Sequence, residues 1–329
     1  MGNDRPKALV TAPVRGPGLD KLNELADLVV DPWIEHRPLR IYNAEQLAER
    51  VAAEEATIVV VESDTCGGPL FEQPLIAVAS CRGDPNNVDV EAATAAGVPV
   101  LRAPGRNADA VAELAVGLII AATRGLIDAD RDVRAGEIYR DGTIPYQRFR
   151  AWQIAGRTAG LVGLGAVGRA LRWRLQGLGM EVVAYDPYAE DATCSLDELL
   201  AVADVISLHA PVTPETAGMI GARQFDSMKD GVVFVNTARA QLHDTDALVA
   251  GLTSGKVAAA GIDHFVNESL PVDHPLTGFP HVVLTPHIGG ATYDTEANHT
   301  SMVANDLERL LQGETPLHIV NPEVLIKKG

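Results

Sequence analysis

The chain has 329 residues, with 27 Lys and Arg against 44 Asp and Glu, a formal net charge of −17 at pH 7. So acidic a chain carries no broad basic face for DNA or RNA, and it repels an anionic ligand at long range, so an acidic substrate needs a local cluster of positive charge. With 47% hydrophobic and 22% charged residues it has the make-up and length of a two-domain globular protein with large buried cores.

The opening residues, Met1 to Val14, lack the apolar core of a secretory leader, and Pro6 stands where a myristoylation signal wants Ser or Thr. The most apolar stretch, Ala110 to Ala122, contains Glu113 and is too short to span a bilayer. The three cysteines, Cys66, Cys81 and Cys194, are odd in number and lack metal-ligand spacing. These features predict a soluble cytoplasmic protein with reduced thiols, no metal and no membrane partner.

Along the chain, short apolar runs alternate with helical stretches, the pattern of βαβ units and parallel sheets. Strands are expected at Lys7–Ala12, Thr57–Glu62 and Leu75–Ser80, with a helix at Asn43–Glu54 and a short one at Asn87–Gly97. Val98–Pro104 reads as a strand and linker, and a long apolar helix runs from about Asn107 to Arg124. Tyr139–Trp152 reads as a loop. A second α/β series starts at Thr158 and continues through "EVVAYDP", "DVISLHAP", "GVVFVNTAR", "AAAGIDHF" and "HVVLTPH", near-continuous apolar strands suited to a sheet covered on both faces. A final helix is expected from roughly Thr295 to Gln312.

The second series opens with Gly163-Leu164-Gly165-Ala166-Val167-Gly168 between an apolar strand and a helix. In that setting Gly163 permits the tight turn, Gly165 lets a pyrophosphate approach the backbone, and Gly168 lets helix and strand pack closely. Asp186, 18 residues past Gly168, ends the next strand. A carboxylate there accepts from an adenosine ribose and repels a 2′-phosphate, so NAD is expected in preference to NADP.

Arg239, Glu268 and His287 each follow a strand of the second series, where ligands gather in open α/β sheets. With the motifs "NNVDVEAATAAGVPVLRAPGRNADAVAELAVGLIIAATR", "GRTAGLVGLGAVGRAL", "LHAPVTPETAGMI", "VNTARAQLHDTDALVAGLTSGKVAAAGIDHF" and "LTPHIGG", the sequence resembles the D-isomer-specific 2-hydroxyacid dehydrogenases over nearly its whole length. The resemblance implies two Rossmann-like or flavodoxin-like domains with parallel sheets. A substrate-binding domain (1–103 and 294–329) would be interrupted by an NAD-binding domain (104–293), with hinges near Arg102–Pro104 and Gly290–Asp294. It implies an NAD-dependent enzyme acting on a small 2-hydroxy or 2-keto acid, and a homodimer with the Asn107–Arg124 helix and neighbouring segments in the interface.

Residue roles follow from the same resemblance. Arg239 would hold the substrate carboxylate and C2 oxygen, His287 would be the acid/base, and Glu268 would orient His287 and favour its charged form. Cofactor contacts would come from Gly163, Gly165, Ala166, Val167, Gly168, Asp186, His209, Ala210, Pro211, Thr216, Thr237, Ala238, Asp263 and Gly289. Ser63, Asp64, Arg82 and Gly83 would face the substrate from the other domain.

The sequence also departs from the family pattern. His264 stands where a Val usually follows the Asp of "GLDVF", and Ser269 where a Pro often follows the Glu. "SCRGDPNNVD" replaces a Gly-rich loop, so Arg82 either binds a second polar or anionic group of the substrate or pairs with Asp84 or Glu62. Glu62-Ser63, in place of an Arg-Ser/Thr pair, lowers the expectation of 3-phosphoglycerate as substrate. Two other functions stay open: an NAD(H)-sensing, partner-binding corepressor-like protein, and a dehydrogenase directed at phosphite or phosphonates.

Overall fold

The computed structural model describes residues 5–326 and divides into two compact units, one comprising the chain up to Arg106 and from Thr292 onward, the other Asn107–Ala291. Each is an α/β layer structure around an all-parallel sheet.

The first unit carries β1 (Lys7–Val10), β2 (Asp27–Val30), β3 (Ile58–Val61), β4 (Ala77–Ser80) and β5 (Val100–Leu101), in the order β2-β1-β3-β4-β5. The interior strands are Val, Ile and Ala runs buried on both faces, which is why they read as continuous apolar stretches rather than alternating ones. One face packs against the helix Ala44–Glu54, whose start is fixed by a capping box between Asn43 and Gln46. The other packs against the helices Pro17–Leu25 and Tyr293–Leu311, which approach so closely that a Cβ at Gly18 would lie 2.4 Å from the Ser301 amide nitrogen. The C-terminal helix thus completes the fold of the N-terminal segment.

The second unit carries β6 (Thr158–Val162), β7 (Glu181–Tyr185), β8 (Val205–Leu208), β9 (Val232–Asn236), β10 (Val257–Ile262) and β11 (Val282–Leu284), in the order β11-β10-β9-β8-β6-β7. The chain runs outward from β6 to β7, then crosses back to β8 on the other side, so the strand order reverses between β6 and β8. A crevice at such a reversal, past the carboxyl ends of the strands, is where open α/β sheets bind nucleotides. The helices Ala108–Arg124 and Ala166–Gly177 cover one face; Leu196–Val202, Ala222–Ser227 and Thr245–Ser254 cover the other.

Two sequence expectations are adjusted. The edge strand β2, "DLVV", is absent from the predicted set, being short and exposed at both ends. Tyr139–Trp152 is not wholly loop: Pro145 starts a helical turn at Pro145–Arg148, its fixed φ suiting the first helical position. As expected of an apolar helix, Ala108–Arg124 buries Val111, Ala112, Ala115, Leu118, Ile119 and Ala122, the last five in the unit's core. No single helix among the described residues is long and apolar enough to cross a membrane.

Candidate active site

The loops after β6 to β11 bring most of the predicted residues to one end of the second sheet. After β6, Gly163 adopts φ 102°, and a Cβ there would lie 2.7 Å from the Ala210 amide nitrogen in the loop after β8. A Cβ at Gly168 would lie 2.1 Å from the Gly163 carbonyl oxygen, so no larger residue fits. Gly165 differs: it precedes the helix Ala166–Gly177, and a Cβ there meets nothing within 4 Å. Two glycines are therefore demanded by packing and the third leaves open space at a helix N-terminus, the arrangement that admits a dinucleotide pyrophosphate. Ala166 and Val167 form the first turn.

Asp186 follows β7. Its Oδ2 accepts from the Leu164 amide at 2.7 Å and its Oδ1 from the Tyr188 amide at 2.9 Å, which ties the end of β7 to the glycine turn. After β8, His209 Nε2 bonds Ser207 Oγ at 2.8 Å, while its buried Nδ1 lacks a partner. Burial pushes this imidazole down to about 4, so it is neutral near pH 7. Ala210 and Pro211 follow, and Thr216 Oγ1 donates to the Pro211 carbonyl at 2.6 Å, closing that loop. After β9, Thr237 is buried with an unpartnered Oγ1, and the Ala238 amide donates to Asn236 Oδ1 at 2.9 Å. The orphaned atoms of His209 and Thr237 follow the neighbouring strands β8 and β9; such buried polar atoms call for a ligand or water partner. These features fit a bound nicotinamide dinucleotide.

Arg239, Glu268 and His287 come together within this unit. Arg239 is shaped by a buried pair the sequence did not single out: Asn236 Nδ2 donates to the Arg239 carbonyl at 2.8 Å and contacts His243 Nδ1 at 3.0 Å. His287 Nδ1 lies 2.9 Å from Glu268 Oε1. Both residues adopt positive φ, 55° at His287 and 52° at Glu268, as does Asn267 at 56°. His264 lies between His287 and Arg239, its ring centroid 3.8 Å from that of His287 and its Nε2 3.4 Å from Arg239 Nη1.

Asp263, for which a cofactor contact is expected from the sequence, is fully buried. Its carboxylate accepts from Thr285 Oγ1 at 2.6 Å and from the Ile288 and Gly289 amides, both at 2.9 Å. It is turned onto the loop that bears His287, whose amide also donates to the Asp263 carbonyl at 2.8 Å. Gly289 permits this approach, since a Cβ there would lie 3.1 Å from Asp263 Oδ2.

The remaining predicted residues belong to the first unit. Asp64, expected at the substrate, is fully buried, and its carboxylate accepts from Thr11 Oγ1 and from the Tyr42 amide. It ties segments of its own unit together. Ser63 is half-buried and Gly83 packs 3.4 Å, by its would-be Cβ, from Pro104 Cα. Arg82 Nε donates to the Glu62 backbone carbonyl at 2.6 Å and Nη1 to Asn86 Oδ1. The Glu62 carboxylate bonds Arg106 and, at 3.3 Å, Trp33 Nε1. Cys81 is fully buried, which raises its thiol pKa far above the ordinary range.

Residues 116–289 match the family described as D-isomer specific 2-hydroxyacid dehydrogenase, NAD binding domain. The chain is 35% identical to a glyoxylate reductase of Thermofilum pendens, over 98% of this chain and 96% of the relative. It is 34% identical to YoaD of Bacillus subtilis, a putative 2-hydroxyacid dehydrogenase, over 94% of this chain and 92% of the relative. Among solved structures it is similar to a glyoxylate reductase of Paecilomyes thermophila, with a TM-score of 0.75 and 30% identity, covering 98% of this chain and 100% of that one.

Proposed function

The chain belongs to the D-isomer specific 2-hydroxyacid dehydrogenases, NAD-dependent oxidoreductases acting on the CH–OH group of 2-hydroxy acids, and from that premise we propose that it reduces a small 2-keto acid at C2, with His287 as acid/base, Glu268 as its partner and Arg239 as the carboxylate grip. The observation that carries this assignment is the 2.9 Å pair of His287 Nδ1 and Glu268 Oε1 beside Arg239. With Nδ1–H donated to the carboxylate, Nε2 is the nitrogen that exchanges a proton with the C2 oxygen. When bound, the nicotinamide supplies or accepts the hydride. Arg239 supplies local positive charge in a chain of net charge −17, so a small anionic acid can bind despite the acidic surface.

NAD(H) is the proposed cofactor in preference to NADP(H). Asp186 at the end of β7 supports this, because a carboxylate there would stand against a 2′-phosphate. The substrate class is glyoxylate-like or a related 2-keto acid, as in the named relatives.

A homodimer is proposed as well. Its support is the segment that follows the Ala108–Arg124 helix, where Leu126, Ile127, Val133, Tyr139 and Tyr146 are exposed on the same unit. Light scattering coupled to size exclusion tests this: a mass near 35 kDa would refute it and one near twice that would support it.

The test of function is NADH oxidation by the purified protein over a panel of mono- and dianionic 2-keto acids, with NADPH in parallel. Turnover on one of them with NADH, lowered about 100-fold or more in H287A, is the expected result. NADH binding without turnover on any acid would overturn it in favour of a sensing role, and turnover on phosphite alone would overturn the substrate class.

A further inference from the structure

His264 follows the buried Asp263 just past the end of β10, and the roles assigned to Arg239, Glu268 and His287 leave it without a task. Its side chain is 4% exposed. Its ring lies against that of His287 at 3.8 Å between centroids, with a 45° tilt. Its Nε2 faces Arg239 Nη1 at 3.4 Å, and the other Nη1 hydrogen is directed at the Ala238 carbonyl at 2.6 Å. A guanidinium only donates, so Nε2 must carry the lone pair and Nδ1 the proton. Nδ1 has no hydrogen-bond partner, lying 3.9 Å from Asp263 Oδ2.

Burial, then the nearby His287 and Arg239, push the His264 imidazole down to about 4. It therefore remains a neutral acceptor wherever the enzyme operates near neutral pH. A Val here would offer Arg239 no acceptor and would leave a gap beside the His287 ring.

We propose that His264 is a positioning residue for substrate binding: its Nε2 holds Arg239 Nη1, which commits that nitrogen to the protein and leaves the Nε–Nη2 edge of the guanidinium to grip the substrate carboxylate. The inference rests on the assignment of Arg239 as the carboxylate grip. Bidentate recognition needs the fork held in one orientation, and a long exposed arginine otherwise spreads over many rotamers.

The test separates the acceptor from the ring. H264V lacks both, H264F keeps an aromatic ring without an acceptor, and H264Q keeps an acceptor at the Nε2 distance without the ring. Steady-state kinetics of the full chain with its best 2-keto acid should show KM raised about 10-fold in H264V and H264F, with kcat changed less than about 3-fold, and most of that loss recovered in H264Q. NADH affinity, followed by fluorescence, should be unchanged in all three, which also reports that the unit has folded. An unchanged KM in H264V, or equal KM values in H264F and H264Q, would overturn the proposal. R239K, run beside them, distinguishes the two failures: a KM raised by R239K but indifferent to His264 removes only the positioning role, whereas an unchanged KM in R239K removes the carboxylate grip and the proposal together.

Discussion

His287 Nδ1 and Glu268 Oε1 meet at 2.9 Å across a pair of left-handed backbone positions, φ 55° and 52°, so two adjacent loops bend unfavourably to bring one imidazole and one carboxylate together. That Glu268 side chain is 59% exposed, so the pair contributes little to folding. Its effect should fall on turnover: E268Q, which keeps an acceptor and loses the charge, should reduce kcat/KM by about 10- to 100-fold while Tm stays within a degree or two. A Tm drop with intact kinetics would show the pair to be structural.

The glycine turn gives a contrast between two substitutions of the same kind. At Gly165 a Cβ finds open space within the protein, so G165A should fold with an unchanged Tm, and its NADH Kd should rise about 10-fold or more by obstructing the pyrophosphate. At Gly168 the Cβ would strike the Gly163 carbonyl at 2.1 Å, so G168A should lose stability as well as affinity. Paired thermal melts and NADH titrations check both; an unchanged Kd in G165A would place the cofactor elsewhere.

Asp263 gathers three donors from the loop carrying His287. D263A would leave buried amides unpaired and should cost about 3 kcal/mol of stability. D263N retains one acceptor oxygen and should lose less. Chemical denaturation measures both, and near-native stability in D263A would show that water replaces the carboxylate without loss.

Acidity should act through buried imidazoles. His243, His264 and His299 are buried, and burial pushes each down to about 4 from the usual 6.5. With folded pKa values depressed, their contribution to stability is fully present above pH 6.5. It is lost progressively as pH falls toward 4, where only the unfolded chain binds the protons. Each group removes up to about 1.4 kcal/mol per pH unit as pH falls through that window. Stability measured from pH 7.5 to 4.5 should decline through the histidine range, and a flat profile between 7 and 5 would contradict the burial of these rings.

Cysteine reactivity should report the same interior. Cys66 and Cys81 are fully buried with thiols raised by burial, and Cys194 is partly exposed. The native chain should therefore react with a disulfide reagent at one thiol and the unfolded chain at three. Three fast thiols in the native state would refute this.

The sheets were legible because their strands are apolar on both faces, and the glycine turn because packing at Gly163 and Gly168 forbids other residues. The directions of polar side chains were not. Asp64, Asp186 and Asp263 each follow an apolar strand and each collects backbone donors, yet Asp64 and Asp263 turn inward to full burial while Asp186 stays half-buried. Nothing local marks the difference, because an inward turn is fixed by where distant backbone amides happen to lie. The Asn236–His243 pair was hidden for the same reason: a buried amide bonded to an imidazole reads in sequence as two ordinary polar residues. His264 could be seen as a departure, but its contact with Arg239 and His287 exists only once β9, β10 and β11 lie side by side.

The left-handed backbone at Asn267, Glu268 and His287 has a consequence for anyone engineering this chain. A residue with a Cβ held there costs on the order of 1 kcal/mol, which glycine would relieve. Selection for heat resistance alone would therefore drift toward glycine at these positions and deliver a sturdier protein that no longer works. Catalytic competence and thermal endurance pull against each other at the same few peptide units, so a stabilised library must be screened for turnover from its first round.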